Sequence, residues 1–213
     1  EFTSDDRLGG VSIELWRDFV RLAFRMATQE VLHTISSSSE SAIAVEVFET
    51  RLMRKHKHTL VFESFTGELH FRPDHPERSR LSLDVDAKSV VCRDRFLKES
   101  KQRRVAEYVR DLVLEANSYP NIHFFSDRLS AKVLRGYVME GELKLRGTVR
   151  ALKMNVVFNE RKDDRLQIDA DAKFQLSDFG IKPPSSLFGL IGTKDEVLVQ
   201  MLLWTAPTMS TTA

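Results

Sequence analysis

The sequence predicts a mainly β fold: a closed antiparallel barrel of about eight strands with one covering α-helix, preceded by an extra N-terminal amphipathic helix. Three observations carry that expectation. From Ile43 onward apolar and polar residues alternate in long runs, and alternate side chains of a strand point to opposite faces. Within that block only 105–116 repeats at helical spacing, through Val105, Tyr108, Val109, Leu112, Val113 and Ala116. The 213 residues are 42% hydrophobic and include a single cysteine, Cys92, so one core must hold without disulfides.

At the start of the chain, Leu15, Trp16, Phe19, Leu22, Ala23, Met26 and Ala27 recur at steps of three and four, an apolar stripe behind Ser12 as N-cap. Acids and bases mix on the opposite face, which favours packing against the barrel or a second copy over an anionic lipid surface. The helix is expected to end near Ser36-Ser37-Ser38-Ser39, whose hydroxyls compete for backbone hydrogen bonds. The chain therefore divides into 1–40 (helix and Ser-rich linker), 41–206 (barrel) and 207–213 (flexible tail).

The strands follow as 43–53, 59–71, 81–88, 122–129, 137–146, 152–158, 166–176 and 197–205. The clearest is the seventh, where Leu166, Ile168, Ala170, Ala172, Phe174 and Leu176 alternate with polar residues. Asn117-Ser118-Tyr119-Pro120 closes the covering helix, because the residue before proline is pushed out of the helical region. Strands this long exceed what a small sandwich core requires, and closing them into a cylinder removes their edges. An eight-stranded barrel has room inside for packed side chains or for one small apolar ligand.

Composition narrows the function. With 32 Lys and Arg against 31 Asp and Glu the formal charge is +1, so no global field draws the chain to nucleic acid. No apolar run reaches the roughly 18 residues of a membrane-spanning helix. The chain opens on Glu1-Phe2-Thr3 without a basic and apolar leader, so any export signal is expected to be already gone. Nucleophile-elbow, phosphate-loop, His-Glu-x-x-His and Cys-x-x-Cys patterns are lacking. His56 and His58 would share one side of a strand, with His70, His75 or His123 as a third metal ligand. Arg54, Lys55 and Lys57 around them would repel a divalent ion. Asp163-Asp164 and Asp195-Glu196 read as solvated loop charge. The basic clusters at 51–57 and 98–104 read as solvated faces able to attract an anionic surface.

Fourteen Phe against three Tyr and two Trp is a strongly apolar choice, and Phe62, Phe124, Phe158 and Phe174 fall within strands, as barrel lining or as plain core. The connection 179–192 carries Phe179, Leu187, Phe188, Leu190 and Ile191 among Gly and Pro, and such a segment should cover an apolar opening.

The run Gly141-Glu142-Leu143-Lys144-Leu145-Arg146-Gly147-Thr148, followed by Leu152, Met154 and Val156, resembles the Gly-x-Leu-x-Ile-Arg-Gly-Val/Thr hairpin of the YceI-like, polyisoprenoid-binding family. Supporting pieces come in the family's order: Phe65-Thr66-Gly67-Glu68-Leu69-His70-Phe71, Tyr119-Pro120-Asn121-Ile122-His123-Phe124, Asp178-Phe179-Gly180-Ile181 and Asp195-Glu196-Val197. The segment 50–60 departs from the commoner family opening, and the N-terminal helix has no counterpart. The resemblance spans about 43–206 and implies a lipocalin-like barrel that binds, carries or stores an amphiphilic isoprenoid, a polyprenyl chain or quinone, without catalysis or a resident cofactor or metal.

On that reading Phe62, Phe124, Tyr137, Met139, Phe158 and Phe174 line the interior. Phe179, Leu187, Phe188 and Leu190 form a flap, and His58, Tyr137 and Arg146 meet the head group. A transient membrane contact and a homodimer are compatible with it, nucleic acid is not expected, and resembling proteins suggest a periplasmic or secreted location, with cytoplasmic as the alternative. Two rivals stay open: a metal-dependent enzyme using His56 and His58, and a protein-interaction module whose barrel is filled by its own side chains.

Overall fold

The structure, a computed structural model, describes residues 30–49, 57–132, 135–161, 164–186 and 191–208. The apolar stripe of 15–27, His56, Leu187, Phe188 and Leu190 lie outside the described residues. The strands are β1 (Val31–Ser36), β2 (Ala42–Glu49), β3 (Lys57–Phe62), β4 (Phe65–Phe71), β5 (Arg80–Asp86) and β6 (Val90–Cys92). Then come helix α1 (Glu99–Tyr108), β7 (Asn121–Ala131), β8 (Tyr137–Leu145), β9 (Thr148–Glu160), β10 (Leu166–Gln175), β11 (Ser185–Ser186) and β12 (Ile191–Pro207).

Eight strands close an antiparallel ring in the order β1-β4-β5-β7-β8-β9-β10-β12, with β12 returning to β1 through Ile35 opposite Thr205. Three staves are broken and resume at the other end of the barrel: β2 after β1, β3 before β4, and β6 after β5. Thus β12 pairs with β1 through its last residues and with β2 through Thr193 to Leu202, while β3 joins β2 and β6 joins β3. The breaks are stitched to one another, since the Asp86 N–H donates to the Ser64 carbonyl (3.0 Å) and the Glu63 N–H to that of Ser89 (3.3 Å). Past β6 no described strand pairs, and α1 packs there instead.

Four sequence expectations change. Val31–Ser36, assigned to the helix end and linker, is a strand, because His33 and Ile35 are buried on one face while Thr34 and Ser36 stay out. The buried imidazole hid the alternation, and it is bonded to the Thr205 hydroxyl (3.0 Å). Pro207, given to the tail, pairs with His33, and the Thr208 N–H reaches the Leu32 carbonyl. The segment 59–71 is two strands rather than one. The helix begins at Glu99, six residues before its apolar stripe, and widens into a π-helical turn over Val109–Val113. Just before β1, Glu30 accepts from Arg72 (2.7 Å) and Arg80 (2.8 Å) and bonds His70 (2.6 Å). The two guanidiniums hold its carboxyl down to about 2.

The β8–β9 hairpin turns on Arg146 (φ 49°) and Gly147 (φ 74°), the doubly left-handed pair that a two-residue hairpin requires. Gly141 has a different reason. A Cβ there would lie 2.3 Å from the Phe125 carbonyl oxygen and 2.7 Å from the Phe124 ring, beside the bulge where β7 slips register between Phe125 and Arg128. Gly141→Ala is expected to cost about 1–3 kcal/mol, as overpacking does, read as a lower urea midpoint with the same slope. An unchanged midpoint would show that β7 yields freely.

Candidate functional site

Register stacks the inward side chains in rungs. The middle rung runs through Leu60, Val45, Val199, Ala172, Met154 and Met139. On one side of it lies Phe62, Ile43, Met201, Ala170, Val156 and Tyr137. On the other lies His58, Val47, Val197 and Phe174. The two ends of the barrel are filled differently. Toward β1 the interior is solid: Phe158 packs against Phe71 (centroids 5.2 Å) and Tyr137 (5.7 Å), and His33 meets the edge of Phe71. Burial holds the His33 imidazole below its ordinary pKa, hence neutral.

Toward β2 and β3 the barrel is hollow. A cavity of about 450 Å³ is floored by Phe62, Ile43 and Met201 and walled by Val45, Val199, Ala172 and Met154. Leu83, Phe124, Leu143 and Leu152 complete the far wall, and Val105, Tyr108, Val109 and Val113 of the helical segment roof it. Small side chains at Ala172, Val45 and Val199, adjacent in one rung, leave this space where larger ones would close it.

Four described lining residues have polar side chains: Glu49, His58, Tyr108 and Thr193. His58 Nδ1 bonds Asp94 Oδ2 (2.6 Å) and Nε2 bonds Glu49 Oε1 (3.0 Å). Asp94 is almost fully buried and also accepts the Thr59 N–H (2.7 Å) and the Cys92 thiol (3.3 Å). Burial opposes a charged imidazole, but the two carboxylates outweigh it and raise the His58 pKa. As imidazolium it donates both ring N–H groups to carboxylates and has none left for a ligand. Burial pushes the Cys92 thiol up to about 11, which removes the thiolate a cysteine nucleophile needs.

Of the residues the sequence singled out, Phe62, Phe124, Phe174 and His58 line the cavity. Tyr137, Met139 and Phe158 do not: Tyr137 and Phe158 belong to the packed half, and Met139 is fully buried behind Met154, at depths that alternation cannot encode. Phe179 is buried with its edge against Phe174 (5.3 Å) rather than raised as a flap. Its turn is fastened to β12 by Asp195, which accepts the Ser177 N–H (2.9 Å). Arg146 also lies off the cavity, tying the β8–β9 turn to the end of the helical segment through the Val113 carbonyl (3.3 Å) and Glu115. The histidines are dispersed: His70 is held by Glu30, His75 by Glu77 and His123 by Asp84. Among the described residues no three His, Cys, Asp or Glu gather in a metal-holding cluster. A barrel filled by its own side chains does not fit this hollow. Sequence reasoning missed Glu49, Asp94 and Tyr108 because they reach the site from three different elements and follow no shared spacing.

The profile of the YceI-like domain matches residues 34–203. The chain belongs to the YceI-like family. Solved structures share its fold, two of them as follows. Against BcnA of Burkholderia cenocepacia the TM-score is 0.62 at 15% identity, covering 78% of this chain and 96% of that one. Against a YceI protein of Campylobacter jejuni it is 0.52 at 18% identity, covering 71% and 85%. No curated protein matches by sequence. The hollow half is where this chain has room for a ligand.

Proposed function

We propose that the chain binds one amphiphilic isoprenoid with its tail in the cavity, as a carrier or store that leaves the lipid chemically unchanged. The observation that carries this reading is the 450 Å³ apolar hollow, within the range of about 300–1,000 Å³ usual for ligand pockets. At about 30 Å³ per water-sized atom, it takes roughly fifteen carbons. Each buried methylene contributes about 0.8 kcal/mol, so ten give about 8 kcal/mol before association costs of several kcal/mol. Tail burial alone therefore supports useful affinity, and the family membership favours an isoprenoid tail. The raised thiol pKa of Cys92 and the occupied ring nitrogens of His58 support a binding role over catalysis.

Titration with geraniol, farnesol and geranylgeraniol tests the reading. Affinity is expected to rise at least tenfold from ten to fifteen carbons and then to level off, as added carbons find no further room. No binding, or affinity independent of chain length, would overturn it.

A further inference from the structure

We infer that the helix over the cavity is a docking face for an anionic membrane surface, set at the rim where a lipid would pass. Three large apolar side chains stand exposed around it: Phe96 at 56%, Tyr108 at 43% and Leu112 at 64%. Two of them touch the lumen's own lining. Tyr108 is itself a lining residue, and the Phe96 ring rests on that of His58 (centroids 5.8 Å), which lines the cavity too. An apolar rim continuous with an apolar lumen suits a surface that is also apolar below its head groups.

Charge selects which surface. Arg95, Lys98, Lys101 and Arg104 are exposed beside these side chains, and among the described residues no acid pairs with any of them. Lys101, Arg104, Tyr108 and Leu112 succeed one another at steps of three and four, one flank of the helical segment. Three acids share this segment: Glu99 is matched by Arg103 (3.2 Å) and Asp111 by Arg110 (2.8 Å), which leaves Glu107 against the four cations. The rim thus presents an excess of cations interleaved with insertable apolar groups, the pairing that holds proteins on anionic lipid.

Flotation with vesicles of 30 mol% phosphatidylglycerol in phosphatidylcholine tests the inference on the full chain without any added ligand. The chain should associate at least tenfold more with these vesicles than with pure phosphatidylcholine, and the association should fall with added salt. The quadruple variant R95Q/K98Q/K101Q/R104Q should lose at least tenfold. R128Q/K144Q/R150Q/K173Q, which removes the same charge from the outer faces of β7 to β10, should lose less than threefold.

The inference is overturned if the rim variant floats like the native chain or if both variants lose equally. It is also overturned if F96S/L112S splits a dimer in sedimentation while vesicle binding stays unchanged, which would assign the patch to a second copy. The inference takes its purpose from the proposed lipid ligand, but its failure is separable: docking without farnesol uptake removes the carrier reading alone, and uptake without docking removes this one alone.

Discussion

Ala172→Phe should lower affinity for farnesol at least a hundredfold while leaving the barrel folded. Ala172 is 3% exposed and stands in the middle rung between Val199 and Met154, facing the hollow. Phenylalanine adds about six carbons to a space that holds roughly fifteen. At about 0.8 kcal/mol per displaced methylene the loss approaches 5 kcal/mol, so a hundredfold drop leaves margin for rearrangement of the tail. The new ring enters empty volume rather than a packed core, so the strain of overpacking is small and the melting temperature should hold or rise. Isothermal titration beside thermal unfolding reads both. Farnesol binding undiminished in a folded variant would place the ligand outside the cavity.

Asp94→Ala should destabilise the barrel by about 3–5 kcal/mol, the usual result of removing one partner from a buried ion pair. It strands the Thr59 N–H and leaves His58 with Glu49 as its remaining acid contact among those described above. For a domain of this size the melting temperature should fall by roughly 6–20 °C.

The pH dependence separates this effect from a simple cavity. The His58 pKa is raised in the fold, so its contribution is complete below about 6.5 and is lost as pH rises through the folded value. His33, lowered by burial, works in the opposite direction: its contribution is present above about 6.5 and is lost as pH falls through that value toward the folded one. Native stability should therefore decline on both sides, and Asp94→Ala should flatten the alkaline side while keeping the acid one. Denaturation midpoints from pH 5 to 9 check this, and an alkaline slope unchanged in the variant would contradict the role given to His58.

Period-two patterning made most of the barrel legible. Leu166 to Phe174 could be read as a strand with one buried face because five apolar residues alternate there without a break. Patterning assigns a face but not a depth, and depth decides which inward residues meet the lumen. Phe62 and Tyr137 occupy the same rung, yet Phe62 floors the cavity and Tyr137 packs onto Phe158. That difference comes from the staggered breaks in β1/β2, β3/β4 and β5/β6, and register across a barrel is a non-local property. The short strand β1 escaped because its buried face carries His33, satisfied by Thr205 from the other end of the sequence. Arg146 drew attention as a cation in the most recognisable hairpin, and its place there follows from the turn it makes and the helix end it ties.

The central claim is that the hollow half of the barrel, and not its packed half or its surface, receives the tail. Methyl NMR addresses it directly, because Met154 walls the cavity, Met201 floors it and Ile35 of β1 is buried in the solid half. With farnesol added to methyl-labelled protein, intermolecular NOEs should reach the Met154 and Met201 methyls and not those of Ile35. Farnesol that binds while both cavity methyls stay silent would contradict the account.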